Sequence, residues 1–171
     1  MKIYVINGSG GTGKDTVCEV AAKYYKVRNI SSITPIVEIA KFAGWNGEKT
    51  DEARRLLARL KEVFTEYNDL SLNYCVSEAN EFLKSDEQIM FVHIREPKEI
   101  ERFKKKINCN TILVRRHSIT DGKIYGNSAD DEVENYDYDY IIENDGDLND
   151  LENKVKNFFE KQVIRWTKLH Y

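Results

Sequence analysis

A glycine-rich stretch between an apolar run and a helical pattern constrains this chain more than any other feature. Residues 3–6 are apolar and predict a buried strand, and residues 14–25 carry apolar side chains at helical spacing. Between them lie Gly8, Gly13 and Lys14, spaced as GxxxxGK. Glycines let successive backbone N–H groups converge on an anion, and the following helix adds a partial positive charge there. The pattern therefore predicts a loop that binds the phosphates of a nucleoside triphosphate.

Individual positions of this loop have expected roles. Lys14 supplies a point charge for the β- and γ-phosphates, and Thr16 is placed to donate its hydroxyl to a phosphate oxygen. Asp15 stands where a serine or threonine usually ligates Mg²⁺. Its carboxylate could ligate the ion, hold a metal-bound water, or simply favour the helix start. We expect ATP to contact the loop through Gly8, Gly10, Gly11, Thr12, Gly13, Lys14, Asp15 and Thr16.

Strand and helix patterns alternate along the rest of the chain. This alternation predicts an α/β domain with a mainly parallel sheet. The length of 171 residues, without an internal repeat, favours one domain. Further strands are predicted at about residues 27–33, 88–94, 111–114 and 138–142, with amphipathic helices between them.

The composition argues against several classes of function. The net charge of −3 does not suit binding to polymeric nucleic acid. The three cysteines lack metal-binding spacing and predict reduced thiols in a cytoplasmic protein rather than a zinc site. The apolar start is too short for a signal peptide, and no run approaches the roughly 18 apolar residues of a membrane span.

Arginines stand where two strands are predicted to end. Arg95 follows one strand, and Arg115 and Arg116 close the next. The carboxyl ends of parallel strands line the ligand crevice, and guanidinium groups bind phosphates bidentately. We expect Arg95 to bind a phosphoryl acceptor and at least one of Arg115 and Arg116 to stabilise the transition state. The alternative is that these arginines are solvated, with Arg95 paired to Glu99.

Beyond these features, the chain resembles a known group of enzymes. The run Gly-Lys-Asp-Thr at residues 13–16 resembles the deoxynucleoside monophosphate kinases of phages and the related phosphomevalonate kinases. Most of the remaining chain is similar to small, mostly uncharacterised bacterial and phage kinases of the adenylate-kinase-like P-loop class. The segments that carry this similarity are residues 38–41, 44–47, 91–97, 113–116, 138–142 and 144–146.

The resemblance implies a fold, cofactors and an acceptor. The implied fold is the three-layer P-loop NTPase fold with a five-stranded parallel sheet, as in nucleoside monophosphate kinases. An acceptor-binding region would occupy about residues 34–84, and a lid about residues 116–136. The implied cofactors are ATP and Mg²⁺, and the favoured acceptor is a (deoxy)nucleoside monophosphate.

The resemblance also suggests residues for the acceptor pocket. Arg54 matches the arginine of an Arg-x-Leu-Leu stretch in the deoxynucleotide kinases and would bind the acceptor. Its alternative role is that of a charged residue on a solvated helix face. Lys41, Trp45 and Tyr67 could line the same pocket, and for Trp45 packing in the core is an equal alternative.

The segment after the last predicted strand could contact the nucleotide base. By resemblance, the backbone of Asn144 and Gly146 would approach adenine. The competing interpretation is a simple turn in which Asp147 caps the final helix. His93, within an apolar strand, is expected to be a hydrogen-bonded core residue, and Glu96 is a candidate for orienting Arg95 or a metal-bound water.

These observations favour an ATP-dependent kinase of a small acceptor. The strand of residues 88–94 does not end in the acidic residue that usually helps to hold Mg²⁺. This gap places more weight on Asp15, or on a metal held mainly by water. Two alternatives stay open: a kinase of a non-nucleotide phosphorylated metabolite, and a nucleotide-binding regulatory protein without turnover. The sequence fixes neither the acceptor nor the oligomeric state.

Overall fold

Strands and helices alternate through residues 1–120 and 133–168, which are the residues that the structure, a computed structural model, describes. No helix in these two ranges is long and apolar enough to cross a membrane. The strands are β1 (Lys2–Asn7), β2 (Val27–Ser31), β3 (Ile89–His93), β4 (Asn110–Arg115) and β5 (Tyr140–Glu143). The helices are α1 (Lys14–Ala22), α2 (Thr34–Phe42), α3 (Asp51–Asn68), α4 (Leu70–Phe82), α5 (Pro97–Lys104), α6 (His117–Thr120) and α7 (Leu148–Lys168).

The strands form one parallel sheet in the order β2-β3-β1-β4-β5. Strand β1 is central, since it pairs with β3 on one side and with β4 on the other. The carboxyl ends of all five strands therefore meet at one edge of the sheet. The five-stranded parallel sheet predicted from the sequence is confirmed.

Helices cover both faces of the sheet, which gives three layers. Alternate residues of β1 point to opposite faces. Tyr4 and Ile6 belong to the core cluster under α1 and α7, whereas Ile3 and Val5 belong to the cluster under α4 and α5. The four buried apolar residues that open β3, Ile89 to Val92, are the expected consequence of burial on both faces.

The last strand begins later than the sequence pattern predicts. Tyr138 and Asp139 precede β5 instead of opening it. The Asp139 carboxylate accepts hydrogen bonds from the backbone N–H of Thr111 at 2.7 Å and from its hydroxyl at 3.0 Å. This carboxylate takes the N–H that a neighbouring strand would otherwise use, so the ladder starts at Tyr140.

Helix α3 is amphipathic but little buried. The Thr50 hydroxyl caps it by accepting a hydrogen bond from the N–H of Ala53 at 3.1 Å. Along α3, all of which the structure describes, Ala53 alone is buried. Val63 and Tyr67 are 57% and 79% exposed. The helix therefore packs against α2 and α4 and contributes little to the core.

Candidate functional site

The glycine-rich segment forms the predicted turn between β1 and α1. Gly8 and Gly13 have φ angles of 148° and 98°, which favour glycine. A Cβ on Gly8 would lie 2.4 Å from the carbonyl oxygen of Val114, and one on Gly13 would lie 2.4 Å from Nδ2 of Asn144. Both positions therefore need glycine for space as well as for conformation.

Lys14 and the start of α1 direct positive charge at this loop. The Lys14 ammonium donates to the carbonyl oxygen of Gly8 at 2.5 Å and to that of Ser9 at 3.2 Å. Helix α1 begins at Lys14, and in the described chain no side chain caps its N-terminus. Its first N–H groups and its dipole can therefore act on an anion. Gly10 and Gly11 form the exposed tip of the loop.

A buried threonine forms hydrogen bonds within the loop. Thr12 is 0% exposed, and its hydroxyl donates to the carbonyl oxygen of Ser9 at 2.9 Å. The Thr12 N–H also points at this carbonyl, at 3.3 Å. These bonds hold the loop in a compact turn, so its shape does not depend on a ligand alone.

Asn7, the last residue of β1, is a site residue that the sequence patterns did not reveal. It is 1% exposed. Its amide oxygen accepts a hydrogen bond from the N–H of Gly8 at 2.9 Å. Its amide nitrogen donates to the carbonyl oxygen of Arg95 at 3.0 Å and to the hydroxyl of Tyr138 at 2.9 Å. The sequence did contain one indication of its role, since Asn7 is a polar residue at the end of an apolar strand.

Asn144 touches the loop with its side chain. Its amide nitrogen donates to the carbonyl oxygen of Thr12 at 2.8 Å, and the residue is 7% exposed. Asp147 caps α7 by accepting a hydrogen bond from the N–H of Asp150 at 2.9 Å. The turn proposed as the alternative is therefore present, and Gly146 lies exposed within it. Contact of this segment with adenine stays a prediction.

Arg115, the last residue of β4, lies beside two acidic side chains. The Arg115 Nε donates to Glu134 at 2.8 Å, and its guanidinium lies 3.8 Å from Glu143. Glu134 belongs to a short turn, Val133–Asn135, that precedes β5. Arg115 thus ties the end of β4 to the chain that returns to the sheet. Arg116 follows β4 and precedes α6.

Most of the predicted lid, about residues 116–136, lies outside the described residues. The described chain includes α6 at its start and the turn Val133–Asn135 near its end. A Cβ placed on Gly11 would lie 3.3 Å from the Cδ1 atom of Ile119 in α6. The start of the predicted lid is therefore next to the tip of the phosphate loop.

Lys61 and two glutamates form an ion cluster near the end of β3. The Lys61 ammonium donates to Glu96 at 2.8 Å and to Glu99 at 2.6 Å, and its side chain is 15% exposed. Burial opposes the charge of Lys61, but the two carboxylates outweigh it and raise the lysine pKa. The cluster joins α3 to the start of α5 and was not predicted from the sequence.

The two glutamates of this cluster respond differently to the same lysine. Burial alone would raise the pKa of the Glu96 carboxyl, but attraction to Lys61 and its hydrogen bond lower it. For Glu99, burial prevails over the attraction of Lys61 and raises the pKa. One oxygen of Glu99, Oε1, is buried and has no hydrogen-bond partner among the described residues. The ionised form is therefore favoured at Glu96 and disfavoured at Glu99.

The residues predicted for the acceptor pocket bond to their own segments. Lys41 lies 3.4 Å from Glu38, and Arg54 lies 3.0 Å from Asp51, in exposed pairs along one helix each. The Trp45 indole donates to a backbone carbonyl in the loop after α2, at 3.1 Å. None of these bonds connects one predicted pocket residue to another. The arrangement of Arg54 matches its alternative role on a solvated face.

The residues near the predicted Mg²⁺ position carry oxygen atoms that could serve as metal ligands. Asp15 and Thr16 lie in the first turn of α1, with Asp15 exposed. Burial lowers the pKa of His93, at the end of β3, and the Asp15 charge partly offsets this effect. Carboxylate and hydroxyl oxygens fit a hard cation such as Mg²⁺. His93 is hydrogen-bonded as expected, with Nε2 2.8 Å from the Asn29 amide oxygen.

A second group of possible metal ligands is held together by its own hydrogen bonds. Ligand atoms of His117, Glu143 and Asp145 lie within 4.8 Å of one another. The Asp145 carboxylate bonds the N–H of His117 at 2.8 Å and its ring Nδ1 at 2.6 Å. These bonds fix the start of α6 beside β5, and they explain the arrangement without an ion.

A cavity of about 290 Å³ lies away from all these residues. It is lined by Met1, Tyr4, Ile89 and Phe159, among others, at the amino ends of β1 and β3. None of the predicted site residues borders it. The candidate site is therefore the open edge at the carboxyl ends of the strands.

Solved structures with similar folds agree with this architecture. A shikimate kinase from Bacteroides thetaiotaomicron has a TM-score of 0.54 at 18% identity, over 95% of this chain and 98% of that chain. A sugar kinase from Janibacter sp. has a TM-score of 0.55 at 9% identity, over 94% and 95%. A dephospho-CoA kinase from Campylobacter jejuni has a TM-score of 0.52 at 14% identity, over 94% and 96%.

The comparisons define a class by fold. No protein-family model matches the sequence, and no curated protein matches it significantly. At identities this low, similarity between structures shows the fold alone. The chain has the three-layer fold of the P-loop kinases.

Proposed function

We propose that this protein is a kinase that transfers the γ-phosphoryl group of ATP to a small acceptor. The observation that carries the proposal is the loop of residues 8–14 at the end of the central strand. There, glycine backbone, the start of α1 and the Lys14 ammonium converge on one point. This combination suits a triphosphate, because fixed N–H groups and positive charge act on the same oxygens.

Positioning and electrostatics account for most catalysis of phosphoryl transfer, so each residue has a limited task. Backbone N–H groups of the loop and Lys14 would hold the β- and γ-phosphates. Asp15 would hold Mg²⁺ directly or through water. When bound, that ion neutralises charge on the phosphates. Arg95, next to the loop through the bond between Asn7 and its carbonyl, would grip the acceptor.

Arg115, the last residue of β4, and Arg116, the residue after it, are proposed to have different roles. Arg115 is already bonded to Glu134 and lies near Glu143, so two carboxylates balance its charge. We assign to Arg115 the anchoring of the chain that returns to β5. Arg116 would then stabilise the charge that develops on the transferring group.

A (deoxy)nucleoside monophosphate is the favoured acceptor, because the resemblance of residues 13–16 and of Arg54 points to kinases of such substrates. A second candidate is a hydroxylated metabolite that is not a nucleotide. One observation favours it: the Lys61 ammonium bonds Glu96, the residue after Arg95, and also Glu99, so the charge of this lysine is already engaged by carboxylates. Two of the proteins with similar folds are named as kinases of shikimate and of a sugar.

The test is a transfer assay on the purified protein. ATP and Mg²⁺ are supplied with each ribo- and deoxyribonucleoside monophosphate, and then with shikimate and a set of sugars. Products are identified by mass spectrometry. Phosphorylation of a monophosphate supports the favoured acceptor, and phosphorylation of a hydroxylated compound alone supports the second candidate. ATP binding without transfer to any of these compounds would support the alternative of a nucleotide-binding regulatory protein without turnover.

Lys14, at the start of α1, and Lys23, just after its end, provide a test variant and a matched control. Lys14→Ala removes the ammonium from the phosphate loop, and we expect kcat/KM to fall by about 10³-fold, as for a lost transition-state contact. Lys23→Ala removes an exposed lysine that pairs with Glu152, and activity should be unchanged. A Lys14→Ala variant with full activity would show that phosphoryl transfer occurs elsewhere.

A further inference from the structure

Both the oxygen and the nitrogen of the Asn7 amide have hydrogen-bond partners. Its oxygen accepts from the N–H of Gly8, the first residue of the phosphate loop, and its two N–H groups face the Arg95 carbonyl and the Tyr138 hydroxyl. The residue is 1% exposed, so water does not compete for these bonds. A buried amide whose oxygen and nitrogen are both hydrogen-bonded is a rigid junction.

The partners fix which way the Asn7 amide points. The N–H of Gly8 needs an acceptor, and the carbonyl of Arg95 needs a donor. Rotating the amide by 180° would set N–H against N–H at Gly8 and oxygen against oxygen at Arg95. The Tyr138 hydroxyl adds a third contact to the correct orientation. The entry of the phosphate loop is thus aligned by a side chain of the strand before it.

Tyr138 brings a distant segment into this junction. Three tyrosines alternate along the chain that leads from residue 133 into β5, and their hydroxyls go to three different elements. Tyr136 bonds to Glu101 of α5, Tyr138 to Asn7, and Tyr140 to Gln162 of α7 at 3.4 Å. Tyr138 alone of these three bonds to a residue that contacts the phosphate loop.

We propose that Asn7 and Tyr138 are positioning residues for the nucleotide: their hydrogen bond connects the segment entering β5 to the first N–H of the phosphate loop. The inference rests on the proposed nucleotide binding at this loop, and it adds residues that neither the loop motif nor the arginines supply. Neither side chain needs to touch ATP. Both act through Gly8, whose packing against the Val114 carbonyl leaves little room for adjustment.

The experiment compares Tyr136→Phe, Tyr138→Phe and Tyr140→Phe. Each variant loses one hydroxyl from the same short segment, so the three are matched in chemistry. The affinity for Mg-ATP is measured by isothermal titration calorimetry without an acceptor, and the unfolding midpoint by urea denaturation. We expect Tyr138→Phe to weaken ATP binding about 3-fold, the size of one lost hydrogen bond, and the other two to change it less than about 1.5-fold.

A second variant tests the centre of the junction. Asn7→Ala leaves the Gly8 N–H and the Arg95 carbonyl without this partner, and we expect ATP binding to weaken at least about 10-fold. Adding Tyr138→Phe to Asn7→Ala should change the affinity no further, because the two residues share one bond. If Asn7→Ala fails to fold, the three tyrosine variants decide by themselves.

The outcomes separate this inference from the proposed function. ATP affinity that is equal among the three tyrosine variants would overturn the inference while leaving the kinase proposal intact. ATP binding that weakens only in Tyr138→Phe, with unfolding midpoints alike in all three, supports it even if no acceptor is ever phosphorylated. A wild-type protein that does not bind ATP would overturn both.

Discussion

The nucleotide side and the acceptor side of the proposed site are held in different ways. Buried amides fix the phosphate loop from outside, through Asn7 and Asn144, and Thr12 closes it from within. On the acceptor side, α3 contributes one buried residue and is tied to the start of α5 by the Lys61 cluster. Satisfied buried networks rigidify a structure, whereas a mostly exposed helix opens at low free energy. We therefore expect a preorganised nucleotide site and an adaptable acceptor site.

Removing the Lys61 charge is expected to give the largest change in stability. Lys61→Met leaves Glu96 and Glu99 without their shared cation, and breaking a buried ion pair from one side costs about 3 kcal/mol. Urea denaturation measures the loss. Lys41→Met, which removes an exposed partner of Glu38, should cost less than about 0.5 kcal/mol. Equal stability of the two variants would mean that the cluster does not secure α3.

The phosphate loop can be tested with two glycines that lie three residues apart. Gly13→Ala places a Cβ against the Asn144 amide at a positive φ, and we expect a loss of about 2 kcal/mol. Gly10→Ala meets nothing within 4 Å and should leave the free energy of unfolding unchanged. Combining Gly13→Ala with Asn144→Ala should recover part of the loss. If both glycine variants unfold alike, the loop is not as rigid as its contacts suggest.

The glutamates of the Lys61 cluster should differ in their dependence on pH. The lowered pKa of Glu96 means that its ionised form stabilises the fold at neutral pH. This contribution declines as the pH falls below the ordinary glutamate pKa and through the lowered one. Glu99 has a raised pKa, so its ionised form costs stability at neutral pH, and the cost disappears in acid.

Paired substitutions check this difference. Glu96→Gln should cost about 1 kcal/mol at pH 7, since the side chain is 40% exposed and solvent screens its pair. The loss should shrink in acid as wild-type Glu96 becomes protonated. Glu99→Gln should cost less at pH 7 or stabilise slightly. Urea midpoints at pH 7 and pH 4 measure both, and a larger neutral-pH loss for Glu99→Gln would reverse the assignment.

The smallest expected change in stability concerns Arg54. Arg54→Ala removes one partner of an exposed pair with Asp51, so the free energy of unfolding should move by less than about 0.5 kcal/mol. If Arg54 binds the acceptor, KM for the acceptor should nevertheless rise about 10-fold, which matches a lost contact to a charged group. Arg55→Ala is the neighbouring control. Equal KM values for both variants would assign Arg54 to the solvated face.

Local patterns predicted the sheet, the helices and the phosphate loop, because each depends on residues that are close in the chain. The Asn7 junction could not be predicted this way, since its partners Arg95 and Tyr138 lie 88 and 131 positions away. The bond of Asn144 to Thr12 spans 132 positions. For β5, the strand predicted at about residues 138–142 starts too early, because the Asp139 carboxylate accepts the hydrogen bond of the Thr111 N–H.

The Lys61 cluster shows a different limit of sequence patterns. An isolated lysine on an amphipathic helix usually faces solvent, whereas Lys61 is largely buried against two carboxylates. Its pairing depends on how α3 lies beside α5, which the spacing of residues within either helix does not specify. Lys41 and Arg54, which were predicted to bind the acceptor, behave in the opposite way. Each pairs with an acidic residue three positions earlier in its own helix, and such a pair can be read from the sequence.

The adjacency of β2 and β3 has a consequence for how such a protein could diversify. The chain leaves the sheet after β2 and returns at the neighbouring strand, and the Ser32 N–H still bonds the His93 carbonyl at 3.0 Å. Because β2 and β3 are parallel, the excursion starts at the carboxyl end of β2 and returns to the amino end of β3, and the pairing of these two strands holds both of its ends. The entropy of closing the excursion grows only slowly with its length. Related chains could therefore exchange, lengthen or shorten α2 and α3 while the phosphate loop and its surroundings stay unchanged. The segment between β2 and β3 is thus a suitable place to join parts of two related proteins in a chimera.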